Sequence, residues 1–354
     1  MKTKEKCFNS LVHAKITLVI LFLLPWLAVS AQDFTKTYEK KIDVDKGASL
    51  LIKNKFGKVN CMVWEQSTVS ITVTVDVEAS SQERANRIFD KINVEISGDR
   101  ARVQGITEVG SISNADFSID YEVRMPKWID LDLNNQFGDI YIDAVEGNAQ
   151  VKLEYGAMEA GAFSGTQTDL MIKFSDAEAG YVKNGTLNIE YSEWQSDGAD
   201  NLKVITRFSE VNLDKVAVLN LDSQYDEVVV GNAGEVISVS RFSELNFGKI
   251  KGSFDFDIEY GELDVEYIAP TFANGKLRNT FAGASLGFDP GASISLDAEL
   301  QFGDLSFPKA LSMNHETVGY TTEIYKGKLG SASGTPSQLR IISKNADVNI
   351  DFTE

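Results

Sequence analysis

The sequence predicts an all-β fold of short repeated units stacked on one another. This is a parallel β-helix or related β-solenoid, with rungs of about 17–21 residues and one short N-terminal helix. Three observations predict it. An aromatic residue followed by a small or acidic one recurs at Phe137, Tyr155, Phe174, Tyr191, Phe208, Tyr225, Phe242, Tyr260, Phe281 and Phe302, at spacings of 17 to 21 residues. An apolar residue stands three positions after each aromatic and another stands at five, failing only at Ser196, which is the period of two that a strand imposes. No proline occurs between Pro126 and Pro270, as expected where interior strands donate hydrogen bonds to neighbours on both sides.

Units this short cannot bury a core alone, so they must stack. A sandwich or barrel of hairpins is the alternative, but hairpins would not need the same residue type at the same place in every unit. Each unit reads as strand, corner, strand. At the corner, the small residue after the aromatic is expected to take a positive φ where it is Gly, or to bond the local backbone where it is Ser or Asp. The aromatics, alternating Phe and Tyr, are expected to form an internal packing ladder; an exposed sugar-stacking strip is the functional alternative. Weaker copies are expected at Phe56 (FGKVNC), Lys326 (KGKL) and Asn345 (NADVNI).

Two residues past the aromatic runs an acidic row: Asp139, Asp176, Glu193, Glu210, Glu227, Glu244, Glu262 and Asp304. Just before the aromatic, basic residues recur on alternate units (Lys173, Arg207, Arg241) among Glu154, Glu190, Gln224 and Glu259. The plain reading is a solvated, partly self-neutralised edge. Weak Ca²⁺ binding along the acidic row is the sharper one, although the glycine-aspartate nonapeptide of calcium β-rolls is absent.

The flanks differ from the repeats. Residues 1–31 carry four lysines, an apolar run and a Val29-Ser30-Ala31 triplet, the pattern of a signal peptide cleaved before Gln32. No later stretch is apolar and long enough to span a bilayer as a helix. Residues 32–130 form an N-terminal β-rich capping region, with strands over 69–77 and 117–125. A helix over 80–92 lies between them, capped by Ser80 or Ser81, joined by a Glu83–Arg87 pair and buried through Ala85, Ile88, Phe89 and Ile92. Residues 131–307 hold the regular repeats. Residues 308–354 hold irregular rungs and a cap: a loop over 330–336, then strands over 339–342 and 347–352.

The formal charge of −18 becomes −21 once residues 1–31 are removed, which disfavours nucleic acid and anionic lipid as partners. With Cys7 in the leader, Cys61 alone remains and no intrachain disulfide can form. His13 also leaves, so His315 is the single histidine. No zinc site, Ser-His-Asp arrangement or distinctive carboxylate pair emerges, and no catalytic, cofactor or metal residue is assigned.

The stretch KNKFGKVNCMVWEQSTVSITVTV, the short helix after it, and YEVRMPKWIDLDLNNQFGDIYI together resemble the bacterial putative adhesin family. That family was formerly a domain of unknown function, akin to auto-transporter adhesin heads and common in Bacteroidetes. The resemblance covers nearly all of residues 32–354 and implies a right-handed β-helix of the cell envelope, with no catalytic residues to carry over. The expectation is therefore an exported, non-enzymatic protein of the periplasm, cell surface or exterior that binds a glycan or an envelope protein. An envelope structural or signalling accessory is the alternative, and a carbohydrate-active β-helix enzyme a third reading. Trp194, the longer units around Phe281 and the irregular end are the departures where a binding site is expected.

Overall fold

In the centre of the chain, each strand runs almost a full turn. Asp176–Glu190, Glu193–Arg207, Glu210–Gln224 and Glu227–Arg241 are separated only by two-residue corners. They pair in parallel with a register shift of one unit, so that Glu193, Glu210, Glu227 and Glu244 stand above one another. The computed structural model describes residues 32–308, 310–333 and 335–353; the signal peptide expected over residues 1–31, with Cys7 and His13, lies outside them. Side chains alternate in and out along each strand. In Glu193–Arg207 the alternation slips where Gly198 and Ala199 are buried in succession, and the strand passes to a new face there.

The interior is one continuous apolar cluster running from Val44 to Ile350. Trp194, expected among the departures, is a core residue with no exposed surface. It stacks between Ala177 and Val211. Ser196, the one break in the apolar pattern, pairs with Ala179 and is itself buried.

At the two ends, order in space departs from order in sequence. Ser49–Lys55 and Val59–Trp64 stack directly on Asp130–Gln136 and Ile140–Ile142. The residues between them fold back beneath: Arg102–Val109 pairs in parallel with the first strand and Asp116–Pro126 with the second. Antiparallel neighbours then close this end, with Thr68–Ala79 against Asp116–Pro126, Gln32–Asp43 against Thr68–Ala79, and Ile92–Gly98 against Arg102–Val109. The helix, Gln82–Phe89, begins at Ser81, whose Oγ accepts the Arg84 N–H, and buries Ala85 and Ile88. Glu83 and Arg87 lie one turn apart without an ion pair.

The other end is interleaved in the same way. Ser337–Lys344 inserts between Asn274–Thr280 and Ser293–Gln301, in parallel with both. Val348–Phe352 does the same between Gly283–Phe288 and Leu305–Ser306. The copy expected at Asn345 is therefore a full interior rung. The copy expected at Lys326 is not a rung: Thr322–Gly330 is the middle strand of an antiparallel hairpin, between Ser293–Gln301 and Ser312–Val318. Antiparallel pairing, the alternative for the whole chain, occurs among the described residues only at the ends, where an open sheet edge needs a cover.

Candidate functional site

The corner is built differently from the sequence expectation. Its positive φ is carried by the aromatic residue and not by the small residue after it. Phe56, Phe137, Tyr155, Phe174, Tyr191, Phe208, Tyr225, Phe242, Tyr260, Phe281 and Phe302 all have φ between 50° and 65°, and Asn345 takes 52°. This left-handed conformation reverses the side chain, so the rings project outward and the ladder is external rather than internal. The aromatics from Phe137 to Phe302 are all exposed.

The small residue lies against the backbone of the rung before it. A Cβ on Gly138 would stand 2.1 Å from the carbonyl oxygen of Gly57, and one on Gly156 2.3 Å from that of Gly138, so these two corners admit glycine alone. At the corners of Phe137 and Phe281 an asparagine two residues before the aromatic ties the turn. Asn135 Nδ2 donates to the carbonyls of Gly57 and Gly138, and Asn279 Nδ2 to that of Ala282. In the central corners a serine does this work. Ser175, Ser192, Ser209 and Ser243 each donate Oγ–H to the carbonyl two residues back. Each also accepts a backbone N–H from the rung before, at 3.0–3.2 Å. Asp226 occupies the same place, accepting the Ser209 N–H at 2.9 Å and hydrogen bonds from Ser223 and Gln224. Burial pushes its carboxyl above the ordinary carboxylate range, against these hydrogen bonds.

Outside, ten rings from Phe56 to Phe281 form one stack, with neighbouring centroids 4.8–5.3 Å apart and planes within 9° of parallel. The stack closes at its first ring, where Phe117 meets Phe56 edge-on at 5.4 Å and Lys55 Nζ lies 5.0 Å from the same ring. Left-handed backbone costs an L-residue roughly 1–2 kcal/mol. Each ring pair returns about 0.5–1.5 kcal/mol, so stacking roughly offsets the strain of the corner. Because the ring faces cover one another, the surface shows ring edges. A strip of open faces on which sugars could stack is not formed.

The acidic row lies on one side of the rings and is solvent-exposed from Asp176 through Asp304. Part of its repulsion is absorbed locally: Asp139 Oδ1 accepts the Ala157 N–H, and Asn212 and Asn246 donate to Glu210 and Glu244. On the other side the row before the aromatic neutralises itself, with Lys173–Glu190 at 2.8 Å and Arg241–Glu259 at 3.2 Å, while Arg207 turns to Asp222 at 2.9 Å. Among the described residues no three His, Cys, Asp or Glu side chains gather closely enough to hold a metal ion. His315 stacks on Tyr325 at 4.5 Å and bonds Glu323 on the terminal hairpin. Cys61 is buried, and burial pushes its thiol up to about 12.

No family model matches the chain, and no curated protein matches it. The chain is similar to solved structures described as putative adhesion proteins and as a putative lipid binding protein. A putative cell adhesion protein from Clostridium sporogenes is 12% identical, with 90% of this chain and all of that one covered and a TM-score of 0.19. A putative adhesin from Bacteroides fragilis is 8% identical over 90% and 97% of the two chains, at a TM-score of 0.30. A putative lipid binding protein from Parabacteroides distasonis is 10% identical over 89% and 96%, at 0.32. No helix among the described residues is long and apolar enough to cross a membrane.

Proposed function

We propose that this chain is an exported, non-enzymatic, right-handed parallel β-helix of the cell envelope that binds another macromolecule along its aromatic corner, in the manner of an adhesin. The hand is the one that nearly all connections between parallel strands take. The observation that carries the reading is the ten-ring external stack beside an unbroken run of exposed carboxylates from Glu193 to Glu262. Beside the ring edges the carboxylates supply negative charge at regular steps of roughly 4.8 Å. A partner presenting lysine or arginine along an extended segment complements the row, whereas sugar stacking needs ring faces that the ladder has used on itself. Between glycan and envelope protein, the geometry favours protein.

The test uses the chain from Gln32 to Glu354 in a binding assay on intact bacterial and host cells, with pull-down from envelope fractions. A triple variant, Glu193→Lys, Glu210→Lys and Glu227→Lys, should lose at least about tenfold in affinity while keeping its melting temperature. Blank binding by the wild-type chain, or binding that the triple variant retains in full, would overturn the proposal.

A further inference from the structure

The aromatic stack is interrupted at one place, and the interruption has the dimensions of a ring. Above Phe281 the next rung in space is that of Asn345, because the Phe281 N–H donates to the carbonyl of Lys344 at 3.0 Å. Above Asn345 comes the rung of Phe302, because the Asn345 N–H donates to the carbonyl of Gln301 at 2.8 Å. Asn345 takes the same left-handed backbone as the aromatics on both sides. A short amide therefore stands where the repeat would place a ring. The rungs of Phe281 and Phe302 are two steps apart, about 10 Å at roughly 4.8 Å a step, which is the separation that every ring inside the ladder sees between its own two neighbours.

The consequence is visible in exposure. Phe302 is 60% exposed, against 41–51% for the aromatics from Phe137 to Tyr260, which have a ring on each side, while Phe281 at 50% lies within that range. Asn345 is itself exposed. The far end of the ladder is closed by Phe117 and Lys55, and Phe281, stacked on Tyr260 on one side, has Asn345 in place of a ring on the other. Lys344 and Asp347 flank it on the same rung.

We infer that the slot between Phe281 and Phe302 is a binding site for one aromatic side chain of a partner polypeptide, which completes the ladder over Asn345. The ladder itself argues for an aromatic occupant, since it holds a planar ring between two others at about 5 Å at each interior step. The inference extends the surface-binding reading, and its first readout, the stability of the chain alone, does not depend on that reading.

Asn345→Phe supplies the ring from within. The melting temperature of this variant should rise by about 1–3 °C. Ligand-observed NMR with N-acetyltyrosinamide should give saturable contact with the wild-type chain. In Asn345→Phe the signal should fall at least fivefold, and in Asn345→Gly, which keeps the slot empty, it should persist. A lower melting temperature for Asn345→Phe, or equal N-acetyltyrosinamide signals in wild type and Asn345→Phe, would overturn the inference. So would an Asn345-dependent signal from methyl glucoside in place of the aromatic probe. Failure to find a cellular partner while these results hold would count against the proposed function and leave the slot standing.

Discussion

The backbone N–H of Asn345 donates to the carbonyl oxygen of Gln301 at 2.8 Å, so the last rung in the sequence lies beneath one that precedes it. The segment 337–352 is thus an interior layer whose removal separates two stretches of chain. Ser293–Gln301 keeps only antiparallel Thr322–Gly330 as a partner once Ser337–Lys344 is gone.

A chain ending at residue 336 should therefore lose amide protection throughout 293–330 as well as at its new terminus. Hydrogen exchange read by mass spectrometry checks this. Protection of 293–330 at the wild-type level would show that the hairpin docks without the inserted rung.

Asp226 gives a pH dependence with a definite sign. Its folded carboxyl holds its proton more tightly than the unfolded value of 3.8, so the folded state binds more protons through that range. This contribution to stability is present in acid and is lost as pH rises through the raised folded value. Asp226→Ser restores the residue found at Ser192, Ser209 and Ser243. Its stability relative to wild type should increase between about pH 3 and about pH 7. Urea unfolding at the two ends of that range measures it, and a difference independent of pH would contradict the assignment.

Cys61 should be inert while the chain is folded. Buried and with its thiol pushed up to about 12, it presents almost no thiolate near neutrality. With the chain from Gln32 onward, a colorimetric thiol reagent should find no reactive group in the native state and one after guanidinium unfolding. Rapid native reaction would mean that the first rungs open readily.

Much of this architecture was legible because stacking repeats a residue type at a fixed interval. The strands, the serine-capped helix and the rung at Asn345 follow from the period of two and the corner motif. The outward direction of Phe137 through Phe302 did not follow, because apolar character predicts burial, whereas a left-handed backbone reverses the side chain whatever its polarity. A signal was present nonetheless. Asn54, Asn135 and Asn279, two residues before Phe56, Phe137 and Phe281, mark a turn that an asparagine amide closes from inside, which leaves the intervening aromatic no inward room. The insertion of 337–352 had no local signature, since it depends on pairing between strands distant in sequence. Trp194 stood out by size, and its small neighbours Ala177 and Ser196 were the clue that it fills the core.

External stacking meets the cost of the strained corners, and Phe208 in mid-ladder tests this most directly. Phe208→Ala loses two ring contacts and keeps the left-handed strain. Phe208→Gly loses the same contacts and relieves it. In paired denaturant melts the glycine variant should be more stable than the alanine variant by about 1 kcal/mol, the reverse of the usual order in β-structure. An alanine variant as stable as glycine, or a loss of about 3–5 kcal/mol in both as for a buried phenylalanine, would contradict it.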